Sequence, residues 1–381
     1  MSKDMIRLGD VATYVNGYAF KPEDRGNVGL PIIRIQDLTG HAYDLGFYDG
    51  EYPSKIEINN GDILISWSAS LGVYVWDKGK ALLNQHIFKV VFDKVDIDKK
   101  YFVYAVRREL DEMVMKTHGA TMKHIVKKDF DETKIPYPTM EEQIEIAKKL
   151  DKVLCIIQKR KQELELLDDL IKARFVEMFG NPVLNDKGWE QKSLGEITTK
   201  IGSGATPKGG KEAYQEEGIT LIRSMNVHNG QFEYKDLAHI SDEQASKLDN
   251  VTIEEDDVLL NITGASVARS CVVPNEILPA RVNQHVCIIR CKDCIIPEFL
   301  NKLLIDDNYQ DLLWSIAGSG ATRESITKQQ VENLQIILPM LELQKEFMAF
   351  CHQVTKSKVV VQKALDEAQL LFDSLMQEYF G

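Results

Sequence analysis

The chain contains the same plan twice. Gly119-Ala120-Thr121 returns as Gly320-Ala321-Thr322, Ile125 as Ile326, Pro138 as Pro339, Glu141 and Gln143 as Glu342 and Gln344, and Phe179-Gly180 as Phe380-Gly381, each 201 residues later. Earlier matches drift: Leu8-Gly9 recurs at Leu194-Gly195 after 186 residues, Arg34 at Arg223 after 189, Asp62 at Asp257 after 195, and Asn84-Gln85-His86 at Asn283-Gln284-His285 after 199. An offset that grows step by step means insertions, which surface loops tolerate. A fixed offset means an element whose length and register matter. The sequence predicts two copies of one unit, each a variable globular part followed by a rigid part of set length.

The rigid parts read as helices. No Gly or Pro occurs from Glu141 to Phe179, and Ala147, Leu150, Leu154, Ile157, Leu164, Ile171, Phe175 and Met178 recur by threes and fours, broken by Lys161 and Asp168. Phe347, Cys351, Val354, Val361, Leu365, Ala368, Phe372, Leu375 and Tyr379 repeat the stripe, broken by Lys358. Pro138 and Pro339 precede the helices, acids favour their first turns, and Gly180 with Asn181-Pro182 stops the first. The globular parts carry short β-branched runs, among them Leu30–Ile35, Asp62–Ser66, Val73–Trp76, His86–Val91, Val258–Leu260 and Val286–Ile289, with helical stretches at Lys100–Lys116 and Pro297–Ile316.

The fold class expected is α+β: two pseudo-repeated mixed α/β domains, 1–136 and 181–337, joined by two long helices, 137–180 and 338–381. A helix of about 39 residues is about 58 Å long at about 1.5 Å per residue, too long for one small domain to cover. Its apolar stripe needs the other copy's helix, and two-fold pseudo-symmetry makes the pair an antiparallel coiled coil with a head at each end.

At 381 residues the chain is long enough for two cores, and no apolar run approaches the roughly 20 residues of a membrane span. The N-terminus has no apolar signal region and six cysteines make no disulfide framework, so the expected home is the cytoplasm, away from any membrane. A net charge of −12 argues against nucleic-acid binding by the surface as a whole but leaves local patches. Six basic residues face three acids between Arg107 and Lys128, and three lysines without an acid lie between Lys200 and Lys211.

In this order, a variable domain, Gly-Ala-Thr, a Pro-x-x-Glu-x-Gln helix start (Pro138 to Gln143, Pro339 to Gln344) and a long helix ending Phe-Gly, all of it doubled, the chain resembles the specificity subunit of bacterial type I restriction–modification systems. The openings Asn16-Gly17-Tyr18-Ala19-Phe20-Lys21 and Gly202-Ser203-Gly204-Ala205-Thr206-Pro207-Lys208 and the Asn-Gln-His tripeptides fit the same resemblance. It implies that each variable domain is a target-recognition domain reading one half of a bipartite double-stranded DNA site. It further implies that the paired helices set the spacer and dock two methyltransferase subunits, which carry S-adenosylmethionine and modify an adenine in each half, and that restriction–translocase subunits join for cleavage. The chain itself is then no enzyme and needs no cofactor: Asn181-Pro182-Val183-Leu184 lacks the second Pro and the aromatic of an adenine-methylating motif, and Gly209-Gly210-Lys211 lacks the spacing of a phosphate-binding loop. The alternative is a coiled-coil assembly scaffold whose heads bind protein or carbohydrate.

The candidate DNA-binding residues are Lys21, Arg34, Gln36, Trp67, Lys123, His124, Lys127, Thr206, Lys208, Lys211, Arg223, Asn226, Thr263 and Arg323. Arg pairs with guanine and Gln or Asn with adenine, so the strand ends Arg34-Ile35-Gln36-Asp37 and Arg223-Ser224-Met225-Asn226 have suitable chemistry. A repeated Arg also suits an internal bond to a carboxylate or loop carbonyl. Readers of different sequences should themselves differ, as Ser66-Trp67-Ser68 differs from Asn261-Ile262-Thr263-Gly264 and Met122-Lys123-His124 from Arg323-Glu324-Ser325. Lys123 and Lys127 suit phosphate contact. The doubled Asn-Gln-His fits a side-chain-bonded turn entering a strand better than catalysis. His285, Cys287, Cys291 and Cys294 have donors that zinc takes, but the first copy has no cysteine there, so the fold does not need a metal.

Overall fold

The computed structural model describes residues 4–40, 44–116, 125–206, 210–318 and 324–381. It divides into two compact units, Met1–Lys161 with Gln362–Gly381, and Gln162–Val361. Each unit therefore holds one globular part together with half of each long helix.

In the first unit an antiparallel sheet has the order Thr13–Asn16, Ile87–Val91, Ile63–Ser66, Gly72–Val75. Strand alternation serves two cores at once. Ile63, Ile65, Phe88 and Val90 pack with Tyr101, Phe102 and Leu110 of helix Lys99–Lys116. Leu64 and Ile87 pack on the second sheet, whose order is Phe47–Tyr48, Leu30–Ile33, Ala81–Leu83, Glu57–Ile58 and whose central pair is parallel. The strand expected to reach Ile35 ends at Ile33, and Ile35–Thr39 is a short helix. Met5–Arg7 pairs with Lys134–Pro136, tying the chain's first strand to the entrance of the first long helix.

The second unit repeats this scheme. Its four-stranded sheet runs Thr198–Ser203, Val286–Cys291, Val258–Asn261, Ser270–Val272, and Gln191–Ser193 pairs with Gln335–Ile337. Its second sheet has three strands, Ala238–Ile240, Ile219–Ile222 and Ala280–Val282, the last two parallel. The expected helix Pro297–Ile316 is two, Pro297–Leu304 and Asp307–Gly318, because Asp306 Oδ1 accepts the backbone N–H of Asn308 at 3.0 Å and starts a new helix.

The long helices span Met140–Phe179 and Leu341–Phe380. They pack antiparallel within each unit. In the first, Ala147 and Leu150 share a core with Met376 and Phe380; in the second, Ile171, Phe175 and Phe179 share one with Phe347, Cys351 and Val354. Val153 is buried where Leu154 was expected. The seam interruptions Asp168 and Lys358 pair with each other at 2.6 Å. Thr139 and Glu142 cap the first helix reciprocally, the Thr139 N–H donating to Glu142 Oε2 at 2.9 Å and the Glu142 N–H to Thr139 Oγ1 at 3.4 Å.

The repeated Gln of the helix start is the joint between globular part and helix. Gln143 and Gln344 are buried. Gln143 Oε1 accepts the Asp98 N–H at 2.9 Å, and its amide donates to the Pro138 carbonyl at 2.9 Å. Gln344 Oε1 accepts the Ile296 N–H at 2.9 Å, and its amide donates to the Pro339 and Cys294 carbonyls. All these partners are backbone atoms, so the joint does not depend on which side chains the variable domain carries.

The repeated Phe-Gly is a plug. Phe179 is fully buried among Phe175, Phe299 and Phe347, with ring centroids 5.2, 5.0 and 5.4 Å away, and Gly180 takes φ +74°, the left-handed value that ends a helix. Phe179→Ala is expected to destabilise the second unit by about 3–5 kcal/mol, the usual cost of truncating a buried Phe. Denaturant unfolding followed by Trp189 fluorescence, whose indole donates to the Phe179 carbonyl, checks it; a change below about 1 kcal/mol would contradict the plug.

Candidate nucleic-acid interface

Both units bring four chain segments together at one end of the four-stranded sheet. In the first unit the Trp67 N–H donates to the His86 carbonyl at 3.2 Å and the Ile125 N–H to the Trp67 carbonyl at 3.0 Å. In the second the Ile262 N–H donates to the His285 carbonyl at 3.0 Å and the Ile326 N–H to the Ile262 carbonyl at 2.8 Å. The fourth segment is the end of the outer strand, where Asn16 lies opposite Phe88 and Ser203 opposite Cys287. Gly17 and Gly204 follow, and a Cβ at either would lie 2.0 Å from the Asn84 carbonyl oxygen or 1.7 Å from that of Val282. Only glycine lets the strand end approach the Asn-Gln-His turn so closely.

Side chains on this common frame differ. In the first unit Trp67 stacks on Phe88, centroids 5.5 Å apart, meets the His86 ring edge-on at 4.9 Å, and donates from Nε1 to Asn16 Oδ1 at 3.3 Å. In the second, Ile262 stands at the Trp67 position and Thr263 at that of Ser68. Thr263 Oγ1 bonds His285 Nδ1, Gln284 Nε2 donates to His285 Nε2 at 3.0 Å, and Thr206 Oγ1 donates to Gln284 Oε1. Asn283 Oδ1 accepts the His285 N–H at 2.9 Å, closing the turn that leads into Val286–Cys291. In the first unit His86 instead takes φ +72°, and Asn84 Oδ1 and His86 Nδ1 are buried with no partner among the described residues.

The repeated arginines follow Leu30–Ile33 and Ile219–Ile222, whose Ile33 and Ile222 carbonyls accept the Asn84 and Asn283 N–H groups at 3.0 Å, and their side chains bond inside their own domains. The Arg34 Nε donates to Asp37 Oδ2 at 3.1 Å and its guanidinium reaches the Asp44 carbonyl; this pairing with Asp37 raises its pKa. The Arg223 guanidinium donates to the Asp236 carbonyl and lies 5.4 Å from the Tyr214 ring centroid. Asn226 is fully buried: Oδ1 accepts the Arg223 N–H at 3.1 Å and Nδ2 donates to the Glu233 and Lys235 carbonyls. Its amide is used up in folding, which leaves nothing to offer an adenine.

Of the other candidates, Gln36 and Thr206 are exposed, and Lys21 is exposed with Glu23 4.0 Å away. Lys127 pairs with Asp131 at 2.7 Å and lies 5.9 Å from the Tyr14 ring centroid. Lys123, His124, Lys208 and Arg323 lie outside the described residues, as does the Lys211 side chain. Burial pushes the Cys287 and Cys291 thiols up to about 12, and Cys287 lies in the core. Asn16, His86, Gln284 and His285 join this cluster without being among the candidate DNA-binding residues; the doubled tripeptide was the sequence signal for three of them.

Residues 2–166 and 186–368 match the family model described as the type I restriction modification DNA specificity domain, and the chain belongs to that family. The Escherichia coli type I restriction enzyme EcoBI specificity subunit is 25% identical over 404 residues, covering 98% of this chain and 83% of its own. The MjaVIII specificity subunit of Methanocaldococcus jannaschii is 24% identical, covering 90% and 83%. Among solved structures, the type I restriction-modification S subunit from M. genitalium aligns with TM-score 0.57 and 15% identity over 100% of this chain and 96% of that one. A chain solved in work on assembly and conformational transition of the type I R-M system aligns with TM-score 0.63 and 18% identity, covering 99% and 97%. These structures share the fold. Among the described residues no helix is long and apolar enough to cross a membrane.

Proposed function

We propose that this chain is the non-catalytic DNA specificity subunit of a cytoplasmic type I restriction–modification complex. Residues 1–136 and 181–337 act as target-recognition domains, each reading one half of a bipartite site, and 137–180 and 338–381 as the spacer that docks two methyltransferase subunits, with restriction–translocase subunits joining for cleavage. The observation that carries this reading is the doubled sheet-end cluster: one backbone frame with different side chains, half-buried Trp67 and exposed Ala19 against buried Ile262 and exposed Thr206. That is what two independent readers of base edges need. Docking is supported by apolar residues left exposed on the long helices, Ile156, Leu370 and Leu371 in the first unit and Leu166, Leu170, Val359 and Val360 in the second.

The test is to produce the chain with a methyltransferase subunit of the same family and sequence the methylated positions in the host genome. Methylation at one bipartite motif with a fixed gap is expected, and none with the chain omitted. An assembled complex that methylates without sequence preference would favour the scaffold reading instead.

A further inference from the structure

Gln284 is exposed at the tip of the second unit's Asn-Gln-His turn, yet its amide is held on both sides. Thr206 Oγ1 donates to Oε1, and Nε2 donates to His285 Nε2 at 3.0 Å. That ring nitrogen accepts, so the ring proton is on Nδ1 and is given to Thr263 Oγ1. A primary amide has two N–H groups and two lone pairs on its oxygen. With one of each taken, one donor and one acceptor remain in the same plane. That pair is the complement of the adenine N7 and N6 groups in the major groove.

Resting on the reading of 181–337 as a target-recognition domain, we propose that Gln284 reads an adenine in the second half-site, with Thr206, His285 and Thr263 as positioning residues. The presence of a Gln at the same tip of the first unit does not conflict with this. By strand register Ala19 stands where the second unit has Thr206, so this position offers Gln85 no hydroxyl, and Trp67 stands beside its turn in place of Ile262. The Asn and His of the tripeptide serve the fold of the turn, while the Gln takes its meaning from what surrounds it. Fixing the amide beforehand removes the ordering cost of a flexible side chain on binding.

The experiment uses the complex reconstituted with its methyltransferase subunits and a DNA library randomised in both half-sites, with the methylated products sequenced. Gln284→Ala should relax the preference for adenine at one position of one half-site by about tenfold or more and leave the other positions as they were. Gln284→Glu, which only accepts, should move that position toward cytosine. Thr206→Val should relax the same position partly, and Thr206→Ser should restore it; a merely structural Thr206 would lower methylation at all sequences alike. Unchanged specificity in Gln284→Ala, or an even loss over every sequence, overturns the proposal while the bipartite reading stands. No bipartite motif for the unsubstituted chain overturns both.

Discussion

Exchange of residues 181–337 for the matching segment of a relative that reads another sequence is expected to replace one half of the methylated motif completely and leave the other half and the gap unchanged. The joints make this possible. Gln344 holds the segment through the Ile296 N–H and the Cys294 carbonyl, backbone groups that any sequence of the same fold supplies. The Gln191–Ser193 and Gln335–Ile337 pair closes within the exchanged segment itself. What must be matched is the aromatic contact of Phe299 with Phe179 and Phe347, so a donor carrying a large apolar residue at the Phe299 position should assemble and one with a polar residue there should not. Methylation mapping of the chimera in its complex gives the answer. A change in both halves, or in neither, would mean that the two units do not read independently.

The doubled plan, the long helices and the mixed α/β class were legible because they are written in spacing. A fixed 201-residue offset and an apolar period survive whatever the side chains around them do. The Asp168–Lys358 pair was legible only as two flaws in the stripes, since spacing cannot say that one flaw faces the other. The site was harder to read. Arg34 and Asn226 have the chemistry of base readers, but the side chain three residues on turns back to the arginine N–H in both copies, Asp37 at 2.8 Å and Asn226 at 3.1 Å, and this ends each strand. Local capping competes with function for the same polar residue types, and composition cannot distinguish them. Gln284 was read only as part of a turn for the opposite reason: its holder, Thr206, is 78 residues away, and only the sheet brings the two together.

A heptad added to both long helices, after Leu164 and after Leu365, is expected to move the remaining methylation to a site with the same two halves and a longer gap. Between Ile157 and Ile171 the first helix has no buried residue, so the insertion after Leu164 falls in its exposed stretch, while the one after Leu365 falls beside buried seam positions. Seven residues preserve the apolar seam and lengthen the helix pair by about 10 Å, close to three base pairs of DNA. Asp168 and Lys358 both lie on the same side of the insertions and keep their pairing. A heptad added to one helix alone puts its antiparallel partner out of step, and there the expected result is a lower unfolding midpoint with no new gap. Rotation limits the gain. Three base pairs turn the duplex by about 100°, while seven residues leave an ideal helix about 20° out of register, so the rate should fall although the gap grows. The readout is the motif and not the rate. Double-insertion protein whose circular dichroism shows the added helix, yet which methylates at the original gap, would remove the spacer role from the helices and leave them a docking platform.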